Sequence, residues 1–364
     1  MEPSPDHPNR VQLTRRSLNR RLAALPLALA GCASDPMATA PGRPWHHTDD
    51  GFRNPPGSPT RAGDFGDWAS FFYRGLSRRE AVPLPDGHVL PEAEVLAGLR
   101  TNGGSGGDSV TWLGHAAFLI RIAGRTILTD PFLSEHASPL PPLGPRRFAP
   151  PGLTAARLPQ IDLLLLSHNH YDHLDLPTIE ALPDKAEIEV IAPLGLGRYF
   201  TAHGYHRVRE LDWGDEVDLG PLAVRALPAI HFSRRTLLDR NRTLWTGYVL
   251  EGAGRRLYFA GDTAYGPVFR EIGPEAGPID LALLPIGAYA PRELMRASHA
   301  TPEEAVEIAR ELGAQRLVAM HWGTIQLADE SPFEPPERFR PAAHAAGYGD
   351  DEAWVMRIGE TRAI

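Results

Sequence analysis

The chain has 364 residues, roughly twice the ~100–200 of an ordinary domain, which allows one large domain with appended segments. Apolar residues make up 42% and charged residues 23%, excluding wholesale disorder, and 37 Lys+Arg against 45 Asp+Glu leave a net charge of −8, excluding a broad cationic surface for nucleic acid. The one cysteine, Cys32, excludes an internal disulfide and a thiolate-only zinc cluster, so any metal falls to imidazole and carboxylate, with 15 histidines to choose from.

In chain order, the first 31 residues read as an export signal. Arg15 and Arg16 form a twin-arginine pattern, followed by Arg20, Arg21 and a short apolar run over 22–30 that Pro26 interrupts. Such a run cannot cross a hydrocarbon core, which takes ~20 helical residues; a basic flank, a short apolar stretch and small residues are the marks of an export segment. Leu29, Ala30 and Gly31 before Cys32 resemble the lipobox of bacterial lipoproteins. That resemblance implies an acylated Cys32 and an exported chain, lipid-anchored at the periplasmic face of a bacterial envelope; the alternative is a cytoplasmic chain with a fortuitous basic start. Residues 32–66, rich in Pro, Gly, Ser, Asp and Thr, read as a flexible tether. Residues 67–108 carry Trp68, Phe71, Phe72 and Tyr73, a helical pattern over 91–100 and a turn over 101–108. This extension is expected to pack on the main domain or on a second copy of the chain.

From 109 to 364 short apolar runs end repeatedly in polar clusters. Strands are expected over 109–113, 118–122 and 126–128, the last opening into Asp130. The wholly apolar run over 161–166 reads as a strand buried on both faces, and it opens into His168, His170, Tyr171, Asp172 and His173. A helix follows over 177–182 with Pro at its first turn, then strands over 189–192 and 222–227, the second ending near His231. Strands over 256–260 and 281–285 open into Asp262 and Tyr289. Thr301, Pro302 and Glu304 form a capping box for a helix reaching about 312, and a strand over 316–320 leads to His321. The class is α/β, and open α/β sheets place ligands beyond the strand ends.

His168, His170, Asp172 and His173 put four ligand-type side chains within six residues. Residues two apart can face one way while the adjacent pair faces another, so one loop can address two metal ions. Each ion takes about four ligands, and His231, Asp262 and His321, all at expected strand ends, are candidates to complete both sets. Imidazole and carboxylate suit zinc and also accept manganese or iron. No packing requirement asks for three histidines and an acid after an apolar strand.

The loop at 168–173 resembles the signature of the metallo-β-lactamase superfamily, whose fold is an αβ/βα sandwich of two mixed sheets flanked by helices. More narrowly, the stretches at 112–116, 129–132, 144–147, 165–175, 193–196, 210–213, 259–263, 285–289 and 321–324 are similar, in order, to the N-acyl-phosphatidylethanolamine-hydrolysing phospholipases D. The resemblance implies two zinc ions per chain. His168, His170 and His231 would hold one, Asp172, His173 and His321 the other, and Asp262 would bridge them. Water activated between the ions would attack the phosphorus of an N-acyl-phosphatidylethanolamine, releasing N-acylethanolamine and phosphatidic acid. Asp172, Asp262 and His299 are then the catalytic candidates, and Tyr171 and His299 the substrate contacts. His115, Asp130 and Asp175 are expected to orient the ligands, and Arg146, Arg147, Arg234 and Arg235 are possible anion contacts. A phospholipid membrane is the expected partner, and a homodimer is possible by the same resemblance. A metal-dependent lactonase or sugar-phosphate hydrolase of the same superfamily, or a non-catalytic lipid- or metal-binding lipoprotein, are the alternatives.

Overall fold

In β1 (Ser109–Gly114), β2 (Ala117–Ile122) and β3 (Arg125–Thr129) successive side chains enter two different apolar layers. Val110, Trp112, Phe118, Ile120 and Ile127 join one; Leu113, Leu119 and Leu128 join the other. Strand side chains alternate with period two, so this sheet is covered on both faces. The computed structural model describes residues 43–77, 82–103 and 107–364. The export signal, Cys32 and the start of the expected tether lie outside the described residues.

The first sheet continues with β4 (Leu163–Leu165), β5 (Glu189–Pro193) and β6 (Arg207–Leu211). The second holds β7 (Glu216–Asp218), β8 (Leu222–Leu227), β9 (Gly247–Gly252), β10 (Arg255–Phe259), β11 (Leu281–Pro285), β12 (Leu317–Met320) and β13 (Ala353–Trp354). With β14 (Thr361–Ala363), the orders are β14-β1-β2-β3-β4-β5-β6 and β13-β12-β11-β10-β9-β8-β7. In each sheet one half is antiparallel and the other parallel: β3 to β6 run parallel in one, β10 to β13 in the other.

Helices α1 (Phe65–Ser77), α2 (Glu92–Gly103), α3 (Leu176–Ala181), α4 (Gly197–Thr201), α5 (Val268–Ala276), α6 (Arg292–Met295), α7 (Pro302–Glu311) and α8 (Glu334–Ala345) flank the sheets. Val95 and Leu99 of α2, Ile179 of α3 and Phe200 of α4 share the layer of Leu113 and Leu128, while α7 packs on β11 and against α5 and α8. This is the expected αβ/βα sandwich. Thr301 and Glu304 make the capping box reciprocally, with Pro302 at the first turn of α7.

One expectation is corrected. Residues 44–54 are not a free tether: His46 and His47 hydrogen-bond Asp212, and Asn54 bonds His231. The run is polar because its polar groups pair with the domain, not with water alone. Among the described residues no helix is long and apolar enough to cross a membrane.

Candidate metal centre

The site lies past the carboxyl ends of several strands. The turn carrying His168, His170, Asp172 and His173 follows β4, His231 follows β8, Asp262 follows β10, and His321 is the residue after β12. Three non-glycine residues here take left-handed backbone: His115 at φ 58, Asp130 at φ 30 and His321 at φ 65. Such geometry costs ~1–3 kcal/mol each and persists where the surroundings over-determine it. For His321 they do: its N–H donates to His115 O at 3.0 Å, and a Cβ on Gly287 would fall 2.0 Å from its carbonyl oxygen, so only glycine lets that chain approach.

The donors form two groups that share one carboxylate. In the first, His170 Nδ1 lies 2.9 Å from His168 Nε2 and 3.1 Å from His231 Nε2, with Asp262 Oδ2 at 3.9 and 3.8 Å from those two Nε2 atoms. In the second, Asp262 reaches His173 Nε2 at 3.2 Å and His321 Nε2 at 3.1 Å, and Asp172 Oδ2 lies 3.5 and 3.6 Å from the same nitrogens. His115 Nε2, 2.8 Å from Asp172, joins the second group. All seven residues expected as ligands therefore converge.

Behind them a further layer sets the ring orientations. His231 Nδ1 donates to Ser298 O at 2.8 Å, His173 Nδ1 donates to Asp130 at 2.6 Å, and His168 Nδ1 meets Ser167 Oγ at 2.9 Å. Occupying Nδ1 in this way turns Nε2 inward, the arrangement that orients metal-ligating imidazoles.

Electrostatics divide the groups. Burial pushes the His168, His170 and His231 imidazoles down, the last two to about 3, so they present neutral lone pairs. Burial would raise the Asp172 and Asp262 carboxyls, but the surrounding imidazoles together, His173 first with His321 and, for Asp172, His115, hold both well below the carboxylate range. Burial alone would lower His173 and His321, but the carboxylates around them together override it, Asp262 first with Asp172 and, for His173, Asp130, raising His173 well above its ordinary value and His321 to about 9.

The donor set fits divalent cations. His173 Nε2, His321 Nε2 and Asp262 Oδ1 are buried polar atoms with no hydrogen-bond partner. Such groups are costly unless something satisfies them, and imidazole with carboxylate is the ligand chemistry of zinc, manganese or iron.

The other expected residues fare unevenly. His299 is at the site: its unpartnered Nδ1 lies 3.9 Å from Asp262, and burial pushes it down to about 3. Arg292, paired with Glu304, donates to its carbonyl and fixes its loop. Tyr171 lies on the rim, its hydroxyl donating to Arg235 O and its ring beneath the Arg235 guanidinium at 3.9 Å. Asp130 orients His173 as expected. Asp175 does not orient a ligand; it accepts from Ser134 and Thr178 and ties α3 to the loop after β3. Arg146 pairs with Glu135, Arg147 is buried on the carbonyls of Phe132 and Ala149, and Arg235 donates to Asn169 O and Leu174 O, so these three are structural and not anion contacts. Sequence reasoning missed Asn54, which bonds both backbone polar groups of His231.

Residues 125–322 match the beta-lactamase superfamily domain. The chain is 42% identical over 275 residues to an uncharacterized protein of Mycobacterium tuberculosis, covering 74% of this chain and 71% of that one. It is 38% identical over 263 residues to N-acyl-phosphatidylethanolamine-hydrolyzing phospholipase D 1 of Caenorhabditis elegans, covering 69% and 74%. Among solved structures, a metallo hydrolase of the archaeon Ignicoccus hospitalis shares the fold with a TM-score of 0.53 at 23% identity, over 71% of this chain and 98% of that one. The chain belongs to the metallo-β-lactamase superfamily. Within it, the chain is a metal-dependent hydrolase.

Proposed function

We propose that this protein is a phosphodiesterase of the phospholipase D type, cleaving N-acyl-phosphatidylethanolamine-like phospholipids to N-acylethanolamine and phosphatidic acid with two zinc ions. The observation that carries the reading is Asp262, whose carboxylate lies within reach of both imidazole groups. The likeness to the Caenorhabditis elegans enzyme supports the substrate. His168, His170 and His231 would hold one ion and Asp172, His173 and His321 the other. A pair of ions so held lowers the pKa of water towards 7 and offsets charge on phosphoryl oxygens.

The chain's own residues do the rest. Asp262 and Asp172 stay ionised throughout the working pH range and keep the donor set assembled. His299, neutral because burial holds it near 3, suits a hydrogen bond to a phosphoryl oxygen better than proton donation to the leaving alkoxide. The oxygen that enters phosphorus comes from water, the bond from phosphorus to the ethanolamine oxygen breaks, and that oxygen leaves with a proton.

The rim fits a lipid surface. Leu237 and Leu238 are 91% and 84% exposed on a loop between Arg234 and Arg240, where Arg61, Arg234 and Arg240 are charged neighbours of one another. The Arg240 guanidinium sits over Phe232, which packs against His170, so the loop borders the metal centre. Replacing both leucines by Asp is expected to weaken binding to anionic vesicles about tenfold or more, since a buried Leu contributes ~1.5–3 kcal/mol. Export and acylation at Cys32 would keep the protein beside such a membrane; loss of labelled palmitate from a Cys32→Ala chain checks this.

The deciding assay offers the zinc-loaded protein an N-acyl-phosphatidylethanolamine in isotope-labelled water. The reading expects label in phosphatidic acid and none in N-acylethanolamine. Turnover of lactones or sugar phosphates without cleavage of the lipid would overturn it, as would tight lipid binding with no turnover.

A further inference from the structure

We infer that Asn54 is a positioning residue for the metal centre, holding His231 in place, and that residues 46–54 are the strap that delivers it. The inference rests on reading the site as a metal centre.

The Asn54 amide is used on both sides. Its Nδ2 donates to His231 O at 2.9 Å, and its Oδ1 accepts from His231 N at 3.0 Å and from Trp245 Nε1 at 2.9 Å. One side chain thus satisfies both backbone polar groups of a residue four positions beyond the end of β8, where no strand pairs with it. Trp245 is itself buried and anchored by a second bond to Ala229 O at 3.0 Å. Asn54 therefore ties the His231 backbone to the floor of the loop that joins β8 to β9. The ring is fixed separately, by its Nδ1 on Ser298 O. With backbone and ring both held, Nε2 has one direction left, into the donor group. A carboxamide, which donates and accepts in one plane, meets both groups at once.

The strap is fastened along the residues that lead up to that contact. His46 and His47 place their Nε2 atoms on the two oxygens of Asp212, at 2.6 and 2.7 Å, and the His46 ring stacks on Trp213 with centroids 4.4 Å apart. Phe52 N–H donates to Asn241 O at 2.8 Å, and Arg53 N–H turns back to His46 O. Gly51 lies so close to Asn241 that a Cβ would meet its carbonyl oxygen at 2.0 Å. These contacts leave residue 54 little freedom, so the orientation of His231 is set from a segment more than 170 residues away in sequence.

The test uses the full chain, zinc as the probe and affinity as the readout: ions retained per chain against a graded chelator. Far-UV circular dichroism and the thermal midpoint of the metal-free protein report folding beside it. The Asn54→Ala chain is expected to hold one ion about tenfold or more weakly, the size typical of losing a group behind a ligand, with the other ion unaffected. Asn54→Asp, of nearly equal volume, keeps the acceptor for His231 N–H and Trp245 but cannot donate to His231 O while ionised; an intermediate affinity is expected. A purely structural role would lower the thermal midpoint and leave the affinity of the folded protein unchanged. If Asn54→Ala does not fold, Asn54→Asp decides alone. Wild-type affinity in the folded variants overturns this proposal only; a wild-type chain that binds no zinc overturns the reading of the site, and the proposal with it.

Discussion

The group around His168, His170 and His231 is steadied by neutral partners, a serine hydroxyl, a backbone carbonyl and the Asn54 amide, whereas carboxylates steady the group around His173 and His321. In the first, burial dominates and the imidazoles stay neutral. In the second, Asp262, Asp172 and Asp130 crowd His173 and raise it against burial, and His321 follows. The difference teaches that one loop, two residues to each side, builds two unlike environments. A cation enters the first group without displacing protons, but must drive protons off the second.

The comparison can be broken most sharply at the residue both groups share. Asp262→Ala is expected to cut phosphodiesterase turnover on the order of 10³-fold, because paired ions contribute several kcal/mol to a transition state, while circular dichroism shows the fold kept. An active variant would remove the shared carboxylate from the account. Asp130 meets His173 directly and His168 only through the Ser167 hydroxyl, so Asp130→Asn is expected to cost ~10–100-fold in affinity for the ion of the second group and less for the other; equal loss at both would erase the distinction between the groups.

The pH dependence of the metal-free protein sharpens it further. His321 is raised from its ordinary 6.5 to about 9, so its contribution is complete below 6.5 and is lost as the pH rises through about 9. Asp172 and Asp262 are depressed below 3.8, so theirs is present above 3.8 and fades in acid. The thermal midpoint of the metal-free chain is expected to drop by several degrees between pH 8 and 10, and that step should shrink in His321→Gln. The smallest expected signal is calorimetric: zinc binding should release about one proton fewer in His173→Ala than in wild type, read from heats in two buffers of different ionisation enthalpy. Identical proton release would show that the second group holds no extra proton.

Much of this site was legible in the sequence because its residues sit where strand periodicity stops. The alternation in β1 to β3 and the apolar runs at β4, β11 and β12 mark strand ends, and the ligand-type residues follow them directly. What escaped did so for physical reasons. The edge strand β6 is mostly exposed and carries Arg207, Arg209 and Glu210, so it shows no buried face. Helices α5 and α8 contain Pro274 and Pro341, which disguise their helical period. Asn54 was hidden in a run whose composition reads as a tether; its role comes from hydrogen bonds to a backbone distant in sequence, and local composition does not encode a partner that far away. Asp175 and Arg147 were misread for the converse reason, since a charge near a site in sequence can be spent on a turn or on carbonyls.

The most direct test of the shared-carboxylate centre is the number of zinc ions per chain in the saturated, exhaustively dialysed protein, measured by elemental analysis. Two ions per chain is the result this arrangement predicts; a stoichiometry of one, or none, would contradict it.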